Sequence, residues 1–282
     1  MPEYYNQFRC SASACIHNCC SAGWEIDLDD GSVKKYRKWI GEEHTDFSEK
    51  LKNGIFVPTV RQRKEGALPC IRMDRNGCCP FLNTEHLCSL ILQKGNNALC
   101  RICRDHPRFR NYYPDHVETG LGMCCEEAVR LILAAETFRY TDPVKGTEET
   151  PEYMRRGGKE RTVGSFSREI NFGEWLDWLG TLEQLDPDWS QLLRKAKNAD
   201  GGFRTETPET YCLPGGVLDY LLFRHYCSRG PAFVGFCWRL LNELCDRTGT
   251  EAGEICRLFS EEIEYSEENT EAIAGRLEAL YQ

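Results

Sequence analysis

Twelve cysteines fall between Cys10 and Cys125, and only five follow. Thiols crowded in this way must be disulfide-bonded, metal-bound or buried, and each choice dictates a different fold. The amino-terminal run MPEYYNQFRC is polar and lacks the basic and apolar regions of a signal peptide. No stretch approaches the apolar length of a membrane span. The expectation is a cytoplasmic protein without membrane partners, in a compartment that keeps thiols reduced. The total of 17 cysteines is odd, and three pairs are adjacent (Cys19-Cys20, Cys78-Cys79, Cys124-Cys125). Both features suit a disulfide framework poorly, so metal is the preferred explanation.

The drop in cysteine density after Cys125 divides the chain. Residues 1–140 read as a loop-rich metal-cluster domain with few short strands, 141–170 as a polar linker or long loop, and 171–282 as a helical domain. The fold class expected is mainly α. In FVGFCWRLLNELCDR, Phe233, Phe236, Cys237, Leu240, Leu241, Leu244 and Cys245 recur at three-four spacing, the stripe of a buried helix. A second helical stretch, VLDYLLFRHYC, carries Leu218, Leu221, Leu222 and Tyr226, and Thr270 is placed to cap a last helix bearing Ile273, Leu277 and Leu280. Cys237 and Cys245 lie on apolar stripes and read as small core residues. Cys212, Cys227 and Cys256 lack neighbours at ligand spacing and take the same reading. Short strands are expected in WEIDLDD and around Ile55-Phe56-Val57.

The first cysteine cluster is Cys10, Cys15, Cys19 and Cys20. Neighbouring side chains point apart, so Cys19 and Cys20 serve two centres, or one binds while the other packs. The later cysteines are Cys78, Cys79 and Cys88, then Cys100 and Cys103, then Cys124 and Cys125. Val129, Ile132 and Leu133 predict a helix opening at Glu126-Glu127, whose positive end would favour a thiolate at Cys125. Zinc competes with iron–sulfur as the metal. Only Cys100 and Cys103 show the knuckle spacing of a zinc site, whereas iron–sulfur clusters tolerate looser spacing, so iron–sulfur is preferred. Arg101, Arg104, His106, Arg108 and Arg110 crowd around Cys103, either as a solvated basic face or as cations facing thiolates or an anionic cofactor group. The net charge of −9 gives no basic face for nucleic acid.

Four ordered motifs, C-x4-C-x3-CC-x3-W-x-I-D from Cys10, CPFL-x5-C from Cys79, C-R-x-x-P-R from Cys103 and CEEAVRLIL from Cys125, resemble the flagellin lysine N-methylase family. A weaker echo lies in DYLLFRHY near Tyr220. The resemblance covers roughly residues 1 to 135. It implies a ligand set of Cys10, Cys15, Cys19, Cys20, Cys79, Cys88, Cys103 and Cys125, enough for one or two four-iron clusters, with Cys78, Cys100 and Cys124 as extras. It also implies methyl transfer from S-adenosylmethionine to lysines of a protein partner, with Arg104 and Arg108 as candidate cofactor-binding residues. The chain looks shorter than the family between its cysteine half and its C-terminal helices, so the substrate is flagellin or another protein. No glycine-rich nucleotide turn and no Cys-x3-Cys-x2-Cys motif stands in the sequence, and no catalytic base is singled out. The alternatives are a non-enzymatic iron–sulfur or zinc module and an electron-transfer protein.

Overall fold

Glycine and proline punctuate residues 10–106, so regular elements there stay short. A computed structural model describes residues 1–42, 45–155, 171–199 and 211–280. It divides the chain into two compact units, one of residues 10–106 and one of residues 1–9 with 107–282. The chain is mainly α, with two small sheets.

In the cysteine unit, residues 10–106, helices α1 (Asp30–Glu42) and α2 (Asp46–Gly54) pack together, and α3 (Val60–Lys64), α4 (Ser89–Lys94) and α5 (Arg101–Asp105) are one or two turns long. Helix α2 opens with a capping box, in which Thr45 and Ser48 each satisfy the other's backbone N–H. Strands β1 (Ile26–Asp27), β2 (Ile55–Phe56) and β3 (Cys70–Ile71) form an antiparallel sheet in the order β1-β3-β2. Its register sets Ile26, Ile71 and Ile55 side by side, and all three are buried. The two strands expected from sequence are there; β3, which joins them, holds Cys70. The core beneath is small, built on Tyr36, Leu51, Phe81 and Leu90.

The helical unit begins with residues 1–9, where Glu3 N–H donates to Arg139 O at 2.9 Å and Pro2 bridges Tyr140. An antiparallel hairpin follows, β4 (Arg108–Tyr112) with β5 (Val117–Leu121), and then α6 (Glu126–Leu133) and α7 (Glu152–Arg155). Residues 107–140, grouped by composition with the cysteine half, therefore pack in this unit. Of the expected linker, Thr141 and Glu148 pair in a bridge, and residues 156–170 lie outside the described residues. The remaining helices are α8 (Phe172–Leu179), α9 (Pro187–Asn198), α10 (Gly215–Thr248), α11 (Ala252–Phe259) and α12 (Glu267–Leu280), with a π-helical turn at Ser260–Glu264. Helix α10 joins the two helical stretches read from the sequence. Gly230, at φ 79°, and Pro231 break it between them, a conformation glycine adopts readily.

Three details differ from expectation. Thr270 lies inside α12, where its hydroxyl donates to Ser266 O; Ser266 instead accepts from Asn269 N–H at 3.1 Å and serves the helix start. Cys212 and Cys227 are exposed rather than in the core. Cys227 lies three residues before the break of α10 at Gly230, and Cys212 precedes the helix. Cys237 and Cys256 are fully buried, and burial pushes both thiols well up. No helix among the described residues is long and apolar enough to cross a membrane.

Candidate metal centre and a buried charge network

In the cysteine unit, distant backbone segments are tied together around thiols. Gly77 sits at φ +76°, and a Cβ there would lie 2.9 Å from the Gly23 Cα. Only two glycines allow that approach, which lets Gly23 N–H reach Gly77 O at 3.2 Å and Cys79 N–H reach Cys20 O at 2.7 Å. The first cysteine cluster is thereby laid beside the second. Asn83 accepts from Glu85 and Leu87 N–H and turns the chain back, so Leu82 bridges Cys88 and Ser89 N–H donates to Phe81 O.

The third segment is fixed from α1. Tyr36 hydroxyl donates to Ala98 O at 2.8 Å, and Lys35 Nζ donates to Asn97 O at 2.8 Å and Leu99 O at 3.0 Å. Asp29 accepts from Ser32 at the start of α1 and from Arg101 N–H at the start of α5. Hydrogen bonds from Ser32 hold the Asp29 carboxyl down at about 2. Cys100 and Cys103 are carried on this α5 turn.

The outcome is a group of interacting sulfurs: Cys20, Cys79, Cys88, Cys100 and Cys103. Three of them are cradled alike. Backbone N–H groups act to lower each thiol, those of Phe81 and Leu82 at Cys79, Leu90 and Ile91 at Cys88, and Ile102 and Cys103 at Cys100. Two N–H groups at positions two and three onward aim partial positive charge at each sulfur and favour its thiolate. Burial acts oppositely. It pushes Cys79 up to about 12, with Cys20 and Cys88 adding repulsion, and it raises Cys88. The proximity of Cys100 and Cys103 raises Cys103 and, against burial, lowers Cys100. Cys20 is raised by donating to Cys19 and by burial.

Five such sulfurs ionise together only when a strong positive charge sits among them, and that is what a metal centre supplies. The donor set fits a thiolate-bound centre in its chemistry. Among the described residues, no three Cys, His, Asp or Glu are arranged to hold a single metal ion as they stand. Of the other candidate ligands, Cys10 is exposed and Cys15 is half-buried with its thiol 3.4 Å from His17 O. Cys125 is the residue before α6 in the helical unit, as its sequence predicts. Arg104 lies in α5 beside Asp105, at 3.6 Å. Arg108 belongs to β4 and lies over the rings of Phe8 and Tyr5 at 5.2 and 5.6 Å. Cys100, set aside in the sequence as an extra, is fully buried within the sulfur group. Its Cys-x2-Cys spacing to Cys103 was the available signal.

The helical unit has a separate polar centre that spacing did not select. The π-helical turn carries the Glu264 side chain, 0% exposed, toward α10. There it accepts from Tyr220 hydroxyl and meets His225 Nε2, both at 2.7 Å, with Arg224 Nε at 3.2 Å and the Ser260 hydroxyl alongside. Burial opposes ionisation, yet Arg224 and the bonds from His225 and Ser260 hold Glu264 down at about 2. Burial also lowers His225. Arg224 stacks over Phe109 at 4.5 Å. These residues belong to the DYLLFRHY stretch, and its partner Glu264 is 39 residues beyond His225. A π turn inside a helix is often a functional device, and here it orients one buried carboxylate.

No family model and no solved structure matches the chain. Among curated proteins it is similar to a lysine-N-methylase from Salmonella typhimurium, with 30% identity over 132 residues, 47% of this chain and 31% of that protein. A lysine-N-methylase from Salmonella choleraesuis matches to the same extent. A flagellar biosynthetic protein FliU from Salmonella muenchen is also 30% identical over 132 residues, which make up 75% of its length. The chain thus matches about a third of the length of the lysine-N-methylases.

Proposed function

The chain belongs to the flagellin lysine N-methylase family, and we infer that it is an S-adenosylmethionine-dependent protein-lysine N-methyltransferase with an iron–sulfur centre. The observation that carries the methylase reading is its 30% identity to relatives bearing that name. The substrate is a protein with exposed lysines, flagellin or another, and the reaction belongs in the cytoplasm, where the thiols stay reduced.

The sulfur group of the cysteine unit supports the metal part of the reading. Cys20, Cys79, Cys88, Cys100 and Cys103 would hold the centre, with Cys10, Cys15, Cys19 and Cys125 as further candidate ligands. When bound, an iron–sulfur centre offers a Lewis-acidic iron able to chelate the amino and carboxylate groups of S-adenosylmethionine. Thiolates around a polynuclear core stand apart, which suits sulfurs that interact without converging on one ion. The backbone N–H pairs on Cys79, Cys88 and Cys100 stabilise the thiolates, and Asp29 and Tyr36 hold the loop that presents Cys100. Arg104 and Arg108 are the cations proposed for an anionic cofactor group.

In the transfer, the lysine nitrogen forms a bond to the sulfonium methyl carbon as the sulfur–carbon bond breaks. A free lysine titrates near ~10.4, so it must first lose a proton to a base. The test is protein purified without oxygen, assayed for iron and sulfide, then incubated with methyl-labelled S-adenosylmethionine and flagellin. Iron, sulfide and label on lysine are expected. Zinc without iron would overturn the iron–sulfur assignment, and no label on flagellin or any lysate protein would overturn the methylase.

A further inference from the structure

Among the described residues, one buried carboxylate of the helical unit has no lysine or arginine beside it. The alternation of β5 turns Glu118 inward, where it is 6% exposed. The Tyr153 hydroxyl donates to its two oxygens at 3.3 and 3.4 Å, and the Tyr113 hydroxyl donates as well. Its charged neighbours are few. His116 Nε2 is 3.8 Å away, but that ring is half exposed and bonds Asp115 at 2.8 Å. The α-amino group of Met1 acts at longer range and itself donates to Thr141 O. Among the described residues, no lysine or arginine ion-pairs with Glu118. Burial accordingly raises its carboxyl.

Aromatic rings lie beside this carboxylate. Tyr153 and Tyr226 stack with centroids 5.3 Å apart and planes 10° from parallel, and Tyr113 stacks on His116 at 4.7 Å. Tyr113, Tyr153 and Tyr226 are each half-buried, so the group reaches the surface. Behind it, Tyr140 lies close enough to feel the Glu118 charge, and its buried hydroxyl has no hydrogen-bond partner. A buried anion beside electron-rich rings is a poor core and a good receptor for an organic cation. The carboxylate would supply charge, and the half-buried rings beside it contact for the alkyl chain and its ammonium.

We propose that Glu118, with Tyr113 and Tyr153 beside it and Tyr226 stacked on Tyr153, is a recognition site for an alkylammonium group, the lysine side chain of a protein substrate. This rests on the methylase reading for the identity of the ligand. Glu118 is a positioning residue for substrate.

The experiment titrates the full chain with a blocked peptide, Gly-Gly-Lys-Gly-Gly, and with its norleucine and arginine counterparts, following tyrosine fluorescence and amide chemical shifts. The lysine peptide should bind, perturbing Tyr113 and Tyr153, and the norleucine peptide should not. Glu118→Gln should weaken lysine binding about tenfold or more, and Tyr226→Ala about threefold to tenfold, without lowering the melting temperature of α10. Equal binding of lysine and norleucine peptides, or unchanged binding in Glu118→Gln, would overturn the site. Methylation with an unchanged KM in Glu118→Gln would overturn the site and leave the methylase standing. Lysine binding without any methyl transfer would uphold the site while the methylase reading fails.

Discussion

The cysteine unit and the helical unit solve the same problem of stability with unequal means. Among the described residues, the main buried apolar cluster of the first holds twelve side chains, against forty in the second. A core that small seldom stabilises a fold made of two-residue strands and one-turn helices. What the cysteine unit has instead is five interacting sulfurs at its loop ends, and the proposed centre would cross-link segments around residues 20, 79, 88 and 100. The helical unit needs no such staple. Its long α10 buries Tyr220, Leu221, Phe236, Leu240 and Leu244, and a charge network at Glu264 ties that helix to the π turn. The comparison teaches that cysteine density here marks where apolar burial falls short.

The widest gap between the units should open on losing the centre. Cys79→Ser with Cys88→Ser, or chelation, should cost the cysteine unit several kcal/mol, up to about 10 by analogy with structural metal sites. Hydrogen exchange should then show α1, α2 and the β1–β3 sheet unprotected while α10 stays protected. Joint loss of protection would break the comparison. The converse experiment is Glu264→Gln, which leaves Arg224 buried beside a neutral partner. It should destabilise the helical unit by about 3–5 kcal/mol in urea titrations and leave iron content unchanged.

Acid should act on the helical unit in the same direction. Glu264 titrates at about 2 in the fold against an ordinary 4.5, so its contribution is complete above about pH 4.5 and disappears as pH falls toward 2. The loss is on the order of 3 kcal/mol. His225, lowered by burial, adds to it, because below its usual value of 6.5 the unfolded chain takes up the proton first. Urea midpoints at pH 7, 5 and 3 should fall in order for the wild type and flatten between pH 5 and 3 in Glu264→Gln. Within the cysteine unit, Gly77→Ala should cost about 1–3 kcal/mol and lower bound iron, since φ +76° and the Gly23 backbone both resist a side chain. Cys237→Ala, a small change in the large core, should cost about 1–2 kcal/mol and leave bound iron as it was.

The same contrast explains what could be read in advance. Apolar residues at three-four spacing announced α10 and α12, and Cys125 before Glu126 announced the start of α6, because helices are local. Cys237 as a core residue followed from the same stripe. The sulfur group was legible as cysteine-rich segments, but membership depended on backbone ties such as Gly23 with Gly77 and Tyr36 with Ala98, which no spacing encodes. Cys100 has a telling spacing to Cys103 but stands outside the family motifs, and so read as an extra. The β4–β5 hairpin went unseen because its first strand, RFRNY, is dominated by arginines that read as a basic face. The partners of Glu118 and Glu264 lie on separate elements, and only the folded chain joins them.

Residues 1–9 belong with residues beyond 106, and the Met1 amino group donates to a carbonyl 140 positions away. During synthesis that segment leaves the ribosome ahead of Arg139 to Thr141, and it must wait, unpaired, until they emerge. The cysteine unit is meanwhile complete, and the proposed centre would be free to load. Assembly thus has an order: loading can precede the moment at which the helical unit acquires its missing edge.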